Sequence, residues 1–283
     1  MGAVALLLLI APAAAQAHDG AAHWSAEPWV VAPLVLAVTL YGRGVHRLWR
    51  QAGRGRGISR GQVGCFVAGT LSLVTALMSP LDSLGGRYFS AHMVQHEILM
   101  LVTAPLMVLA RPLAAWAWAF RPDQRRRIGP ALRARWWAAT WSFLTDPLVA
   151  WALHALALWL WHVPALFDAA LDHEGVHALQ HASFLATALL FWWAVLGPRS
   201  RAASGYALAL LFTTMLHTSA LGALLTLAAS PWYPRYSLAD QQLGGLVMWV
   251  PGATAYVAAA LAIMARLLSP ARPVRLGPLR SDA

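Results

Sequence analysis

The chain has 283 residues, of which 59% are hydrophobic and 11% charged, with a mean hydropathy of +0.55. An average soluble domain carries about 25% charged residues, so the composition excludes a soluble enzyme, a disordered chain and a coiled coil and points to a polytopic membrane protein. All 21 basic residues are arginine, against 11 acidic ones, and the lone Cys65 excludes an internal disulfide or a cysteine-pair metal motif.

In chain order, an apolar run over 3–15 comes first. It is shorter than the roughly 20 residues of a spanning helix. It ends in the small-x-small pattern Ala15-Gln16-Ala17, so 1–17 reads as a secretory signal peptide, with an uncleaved first anchor as the alternative. Either reading puts the segment from His18 outside the cytoplasm, and 18–283 reads as one transmembrane domain. Seven apolar stretches follow, at 29–49, 63–79, 88–110, 147–163, 179–196, 206–229 and 243–268. Each has the length that crosses hydrocarbon as a helix. Pro80, Pro112, Pro147, Pro164, Pro198 and Pro231 stand near their ends, where Trp and Tyr also gather. The predicted fold is therefore an all-α bundle of seven transmembrane helices.

The arginines are lopsided. Nineteen of the 21 fall in the 42–62, 111–146 and 197–205 loops and the C-terminal region, while Arg87 and Arg235 alone lie on the other side. The positive-inside rule then places the N-terminus outside and the C-terminus in the cytoplasm. Orientation and contact with the lipid bilayer account for the basic charge, so no nucleic-acid partner is implied.

Ten of the 11 histidines fall on the outer side or near mid-membrane, and only His46 lies near the cytoplasmic face. Ionisable groups within a bilayer are costly, which makes them functional candidates. His92 and His96 are spaced i, i+4 at the outer end of the third span, and His173, His177 and His181 repeat that spacing into the fifth. Such a pair projects both imidazoles from one helix face and can grip a metal ion. With His162 at the same level, two pairs offer three or four ligands suited to copper, zinc, iron or nickel. Met93 and Met100 flank the first pair and tilt the choice towards Cu(I), although methionine is also ordinary core filler.

The plainer readings stand beside these. His173 reads as a solvated loop residue, and His18 and His23 belong to a flexible N-terminal stretch. His154 and His217, near mid-membrane, read as further ligands or as interhelical hydrogen-bond partners. Glu97 reads as an acceptor that supports a ligating histidine or as a proton carrier, and it faces about 100° away from His96. Asp240 hydrogen-bonds the histidines or caps a helix. Gly222, Gly244 and Gly245 permit close helix packing.

Five blocks carry a family likeness: SAHMVQHEILMLVTAPLMVLARP, WLWHVPALFDAAL, HALQHASFLATALLFWW, HTSALGALLTLA and DQQLGGLVMWVPG. In that order they resemble the CtaG-type cytochrome c oxidase assembly factors, from about Trp24 to Leu268. The resemblance implies a seven-span protein of the bacterial plasma (inner) membrane that serves maturation of haem–copper oxidases. It also implies a copper role. His92, His96, His162, His177, His181 and His217 fall on the family's recurrent histidines, whereas Glu97 stands where many members have Met. The implied partners are the oxidase subunit carrying the haem–copper centre and a soluble copper donor.

Two other classes remain open. A zinc-dependent intramembrane hydrolase would use a metal-bound water with Ser90 or Ser183 and Glu97 or Asp240, but HMVQHE lacks the glutamate placement of HExxH. A haem protein would take axial histidines from two helices.

Overall fold

The computed structural model describes residues 24–197 and 201–269, with the side chains of Leu132 and residues 201–204 left aside. The predicted signal peptide, 1–17, lies outside the described residues. Every element among them is helical: α1 (Pro28–Ala52), α2 (Arg60–Met78), α3 (Pro80–Gly85), α4 (Phe89–Ala110), α5 (Pro112–Ala119), α6 (Pro122–Leu132), α7 (Arg135–Leu144), α8 (Pro147–Trp161), α9 (Pro164–Asp172), α10 (Glu174–Leu196), α11 (Arg201–Thr226) and α12 (Leu238–Leu268).

Six helices, α1, α2, α4, α10, α11 and α12, are long and apolar enough to cross a membrane, and the chain is a multi-pass membrane protein. A seventh crossing exists if α7 and α8, bent by 64° at their break, count as one. The stretch predicted at 147–163 is α8, a helix of 15 residues. At about 1.5 Å per residue it falls short of a hydrocarbon core about 30 Å thick. The 111–146 segment, predicted as a loop, is itself helical. Its α7 buries no residue and exposes Trp136 and Phe143, side chains suited to the bilayer boundary.

Local chemistry explains the boundaries. Proline stands in the first turn of α1, α3, α5, α6, α8 and α9, where its missing N–H costs nothing. Ser59 and Gln62 form a reciprocal capping box for α2. Asp146 accepts from the N–H groups of Leu148 and Val149 to start α8.

One helix departs from α geometry. Residues Ile98–Thr103 of α4 form a π turn, in which the Ala104 N–H reaches back to the Leu99 carbonyl. The next bond in that register would join the Met100 carbonyl to the nitrogen of Pro105, which has no hydrogen. The Trp192 indole of α10 donates to that carbonyl instead, at 2.8 Å. Orphaned backbone groups are costly in a bilayer, so this bond fastens α4 to α10. Trp192→Phe keeps an aromatic ring but removes the donor and part of the indole. It is expected to lower stability by about 1–3 kcal/mol, read as earlier thermal unfolding in detergent.

Helices α11 and α12 form an antiparallel hairpin that closes on glycine. A Cβ on Gly245 would lie 2.7 Å from the Gly222 carbonyl oxygen, and one on Gly222 would lie 2.8 Å from that of Gly245. The predicted close packing at these glycines is present. Gly245→Val would force the helices apart, with an expected loss of about 1–3 kcal/mol, measurable in the same thermal assay.

Candidate metal centre

The site lies at the end of the bundle where α4 begins. Asp240, in the first turn of α12, reaches across to that start. Its carboxylate accepts from the N–H groups of Phe89 and Ser90 at 2.6 and 3.2 Å and from the Ser90 hydroxyl at 2.6 Å. Asp240 is thus a helix cap for α4, while Ser237 caps Asp240's own helix by accepting from the Asp240 N–H. The anion also sits favourably at the positive end of the α4 dipole.

One turn further, His92 and His96 share a face of α4, with ring centroids 4.3 Å apart. On α10, His177 and His181 repeat the arrangement at 4.2 Å. The two pairs face each other, with His92 5.4 Å from His177 and His96 5.2 Å from His181. One ligand nitrogen each from His92, His96 and His181 falls within 4.8 Å of the others. These residues are 0%, 2% and 3% exposed.

Both ring nitrogens of His96 and Nε2 of His181 have no hydrogen-bond partner, and those of His92 make no well-aligned bond, with the Gln180 side chain and the Gly85 backbone beside them. A buried polar group left unpartnered costs about 1–3 kcal/mol. Convergence of several such groups on one point is therefore expensive unless something binds them. Neutral imidazoles in this arrangement form a nitrogen-only donor set that fits a copper or zinc ion.

His162 closes the site from the C-terminus of α8. Its Nδ1 bonds the Leu158 carbonyl at 2.7 Å, and its buried Nε2 is unpartnered. It lies near enough to His92 and His96 to interact with both electrostatically. Tyr233 donates to the His162 carbonyl at 2.8 Å and Tyr236 to that of Gly85 at 3.0 Å. These tyrosines, on the segment between α11 and α12, hold α8 and α3 over the site. Burial pushes both phenols above their ordinary range, so each remains a donor.

The predicted set therefore divides. His92, His96, His162, His177 and His181 gather at one place. His217 belongs instead with His154: the two interact, His154 Nδ1 approaches the Thr187 hydroxyl at 3.3 Å, and the His217 ring lies beside Trp151. Met93 packs towards Gly244 of α12, and Met100 lies in the core beneath. Glu97 turns away from α10 and faces Gly252 of α12. Ser90 serves the Asp240 cap, while Ser183 accepts from the Trp161 indole at 2.7 Å and donates to the Gln180 carbonyl.

Asp82 of α3 was missed by the sequence reading. With His177 and His181 it forms a second trio whose ligand atoms lie within 4.8 Å of one another. Gln95, fully buried on α4, donates to Asp82 Oδ1 and to the Ala76 carbonyl, both at 2.7 Å. The available signal was Pro80-Leu81-Asp82, a proline-started turn with an acid, leading directly into the histidine span.

Residues 39–269 match the family described as cytochrome c oxidase caa3 assembly factor (Caa3_CtaG). The chain belongs to the Caa3_CtaG family. That agrees with the resemblance read from the five sequence blocks. An uncharacterized protein of Mycobacterium bovis is 28% identical over 249 residues, covering 80% of this chain and 36% of that protein. An uncharacterized protein of Mycobacterium tuberculosis shows the same figures, and one of Mycobacterium leprae is 26% identical, covering 73% of this chain and 34% of that protein. This Caa3_CtaG chain thus spans about a third of the length of the curated relatives it matches. No solved structure matches it.

Proposed function

We propose that this Caa3_CtaG protein binds a cuprous ion through His92, His96 and His181 and hands it to a haem–copper oxidase during assembly. The observation that carries this is the convergence of three buried imidazoles from two helices, each with a ring nitrogen left without a hydrogen-bond partner. Burying a charge costs more as the charge rises, so a neutral donor set in an apolar bundle favours the monovalent ion. Imidazole nitrogen is an accepted donor for copper. Copper is the cargo here, and the chain's own residues bind it and hold it away from water.

The orientation follows the arginine count. The arginine-poor, histidine-bearing end faces the periplasm or exterior of the bacterial inner membrane. An ion held just below that surface can pass to an oxidase subunit docked alongside without crossing the bilayer. The packing favours an ion over haem: Phe167 lies 5.0 Å from His92 and Phe184 4.6 Å from His96, so rings already fill the space a macrocycle would need.

The test is an anaerobic titration of the detergent-purified protein with Cu(I) and with Zn(II) against chromophoric competitors. It is paired with oxidase copper content in cells lacking the gene. One tightly held Cu(I) per chain, and oxidase copper restored by the wild-type gene, are expected. Absence of tight Cu(I) binding, or a clear preference for Zn(II), would overturn the reading.

A further inference from the structure

His181 belongs to two trios at once. It joins His92 and His96 on the buried side and Asp82 and His177 on the other, with ligand atoms within 4.8 Å of one another in each group. The groups differ in exposure: His92, His96 and His181 are buried, whereas Asp82 and His177 are half-buried. They differ in charge as well, since the outer group includes a carboxylate and the inner one is neutral.

Three details mark the outer group as a built site rather than a chance cluster of acids. The Nε2 of His181, 3% exposed, is unpartnered, as is the Nε2 of His177. Gln95 fixes one oxygen of Asp82 by a 2.7 Å hydrogen bond. Around this point stand Glu27 and Glu174, close to each other and, in the case of Glu27, to Asp82; burial and then the Glu174 carboxylate hold the Glu27 carboxyl above its usual range. A rim of carboxylates above a half-open trio attracts cations and concentrates them there.

Given that the three buried histidines hold the ion, we propose that Asp82, His177 and His181 form a second, outer cation site, a port that loads and unloads the buried one. The ion is first held by the Asp82 carboxylate and the two imidazoles. Its bonds to Asp82 and His177 then give way to bonds to His92 and His96, while His181 stays bound throughout. The oxidation state does not change, and no proton or electron is required. The carboxylate offsets the ion's charge where it sheds water, and the inner trio, with a third imidazole in place of the carboxylate and full burial, then holds the soft monovalent ion away from water.

The experiment measures anaerobic transfer of Cu(I) from its bicinchoninate complex to the detergent-purified chain, recording rate and final occupancy. Asp82→Asn keeps an oxygen for Gln95 to bond and removes only the charge. It should slow loading by about tenfold or more while final occupancy stays at the wild-type level. His177→Ala should slow loading in the same way. His96→Ala should keep a weaker copper that disappears in Asp82→Asn/His96→Ala. Thermal unfolding of each variant shows that it is folded.

Wild-type loading rates in both Asp82→Asn and His177→Ala would overturn the port. So would an equal residual copper in His96→Ala and the double variant. Loss of final occupancy in Asp82→Asn would mean one mixed site, which also overturns it. A wild-type chain that takes up no Cu(I) would overturn the buried site and the port together, so the two failures are told apart.

Discussion

His96→Ala is expected to weaken Cu(I) binding by more than about 100-fold, since even groups that only support a metal's ligands cost about 10–100-fold when removed. His96 has both ring nitrogens buried and unpartnered, and it lies between His92 and His181. Truncating it leaves two imidazoles from different helices, too few to enclose an ion in an apolar site. The matched control is His217→Leu. His217 sits with His154, apart from the α4–α10 group, and independent sites do not share their effects. Its copper affinity should stay within about twofold of wild type, because residues without shared partners act separately. Competition titration of both variants checks the pair. A large loss in His217→Leu, with His96→Ala unaffected, would move the ion from the α4–α10 site to the deeper histidine pair.

Asp240→Ala should cost about 2–4 kcal/mol of stability, combining a lost helix cap with hydrogen bonds to an ionised acceptor. The carboxylate satisfies two backbone N–H groups and a hydroxyl at the start of α4. With methyl in its place, those donors face a buried boundary without a partner, and the first turn of α4 loosens. His92 lies just beyond that turn, so copper affinity should fall as well, by less than in His96→Ala. Asp240→Asn retains one acceptor oxygen and should recover about half of the loss in stability. Thermal unfolding in detergent, read beside copper titration, measures both effects. An unchanged melting temperature in Asp240→Ala would show that the α4 start is held by packing alone.

Much of the fold was legible because apolar length is a strong signal. The stretch predicted at 88–110 is α4, Phe89–Ala110. The stretches predicted from 179 and 243 begin earlier, at Glu174 and Leu238, because their first turns are polar and fall outside an apolar window. The π turn was not foreseen, although Pro105 inside the third span carried its cause. The i, i+4 spacings in HMVQHE and HALQH revealed which side chains share a face, since helix geometry fixes that locally.

Which faces meet is a tertiary matter, and there the sequence was silent. Depth along a helix already set His217 and His154 apart near mid-membrane; only the family resemblance put His217 among the ligands, and the structure pairs it with His154. The sequence did not connect Asp240 to Phe89, 151 residues away. Asp82 escaped notice because a carboxylate on a short turn has no periodic relation to α10. Only packing, through Gln95, brings it to the histidines.

The two helices that carry the proposed ligands begin differently. Helix α4 is held just before His92 and His96 by Asp240 of α12, whereas the bond that ties it to α10, from Trp192 to Met100, lies far beyond the start of α10. The opening turn of α10, from Glu174, has no side-chain cap and follows exposed His173. Uncapped, solvent-facing turns are the first to open. The compliance of the centre therefore resides in α10: α4 acts as a fixed jaw, and α10, bearing the shared His181, is the jaw that gives.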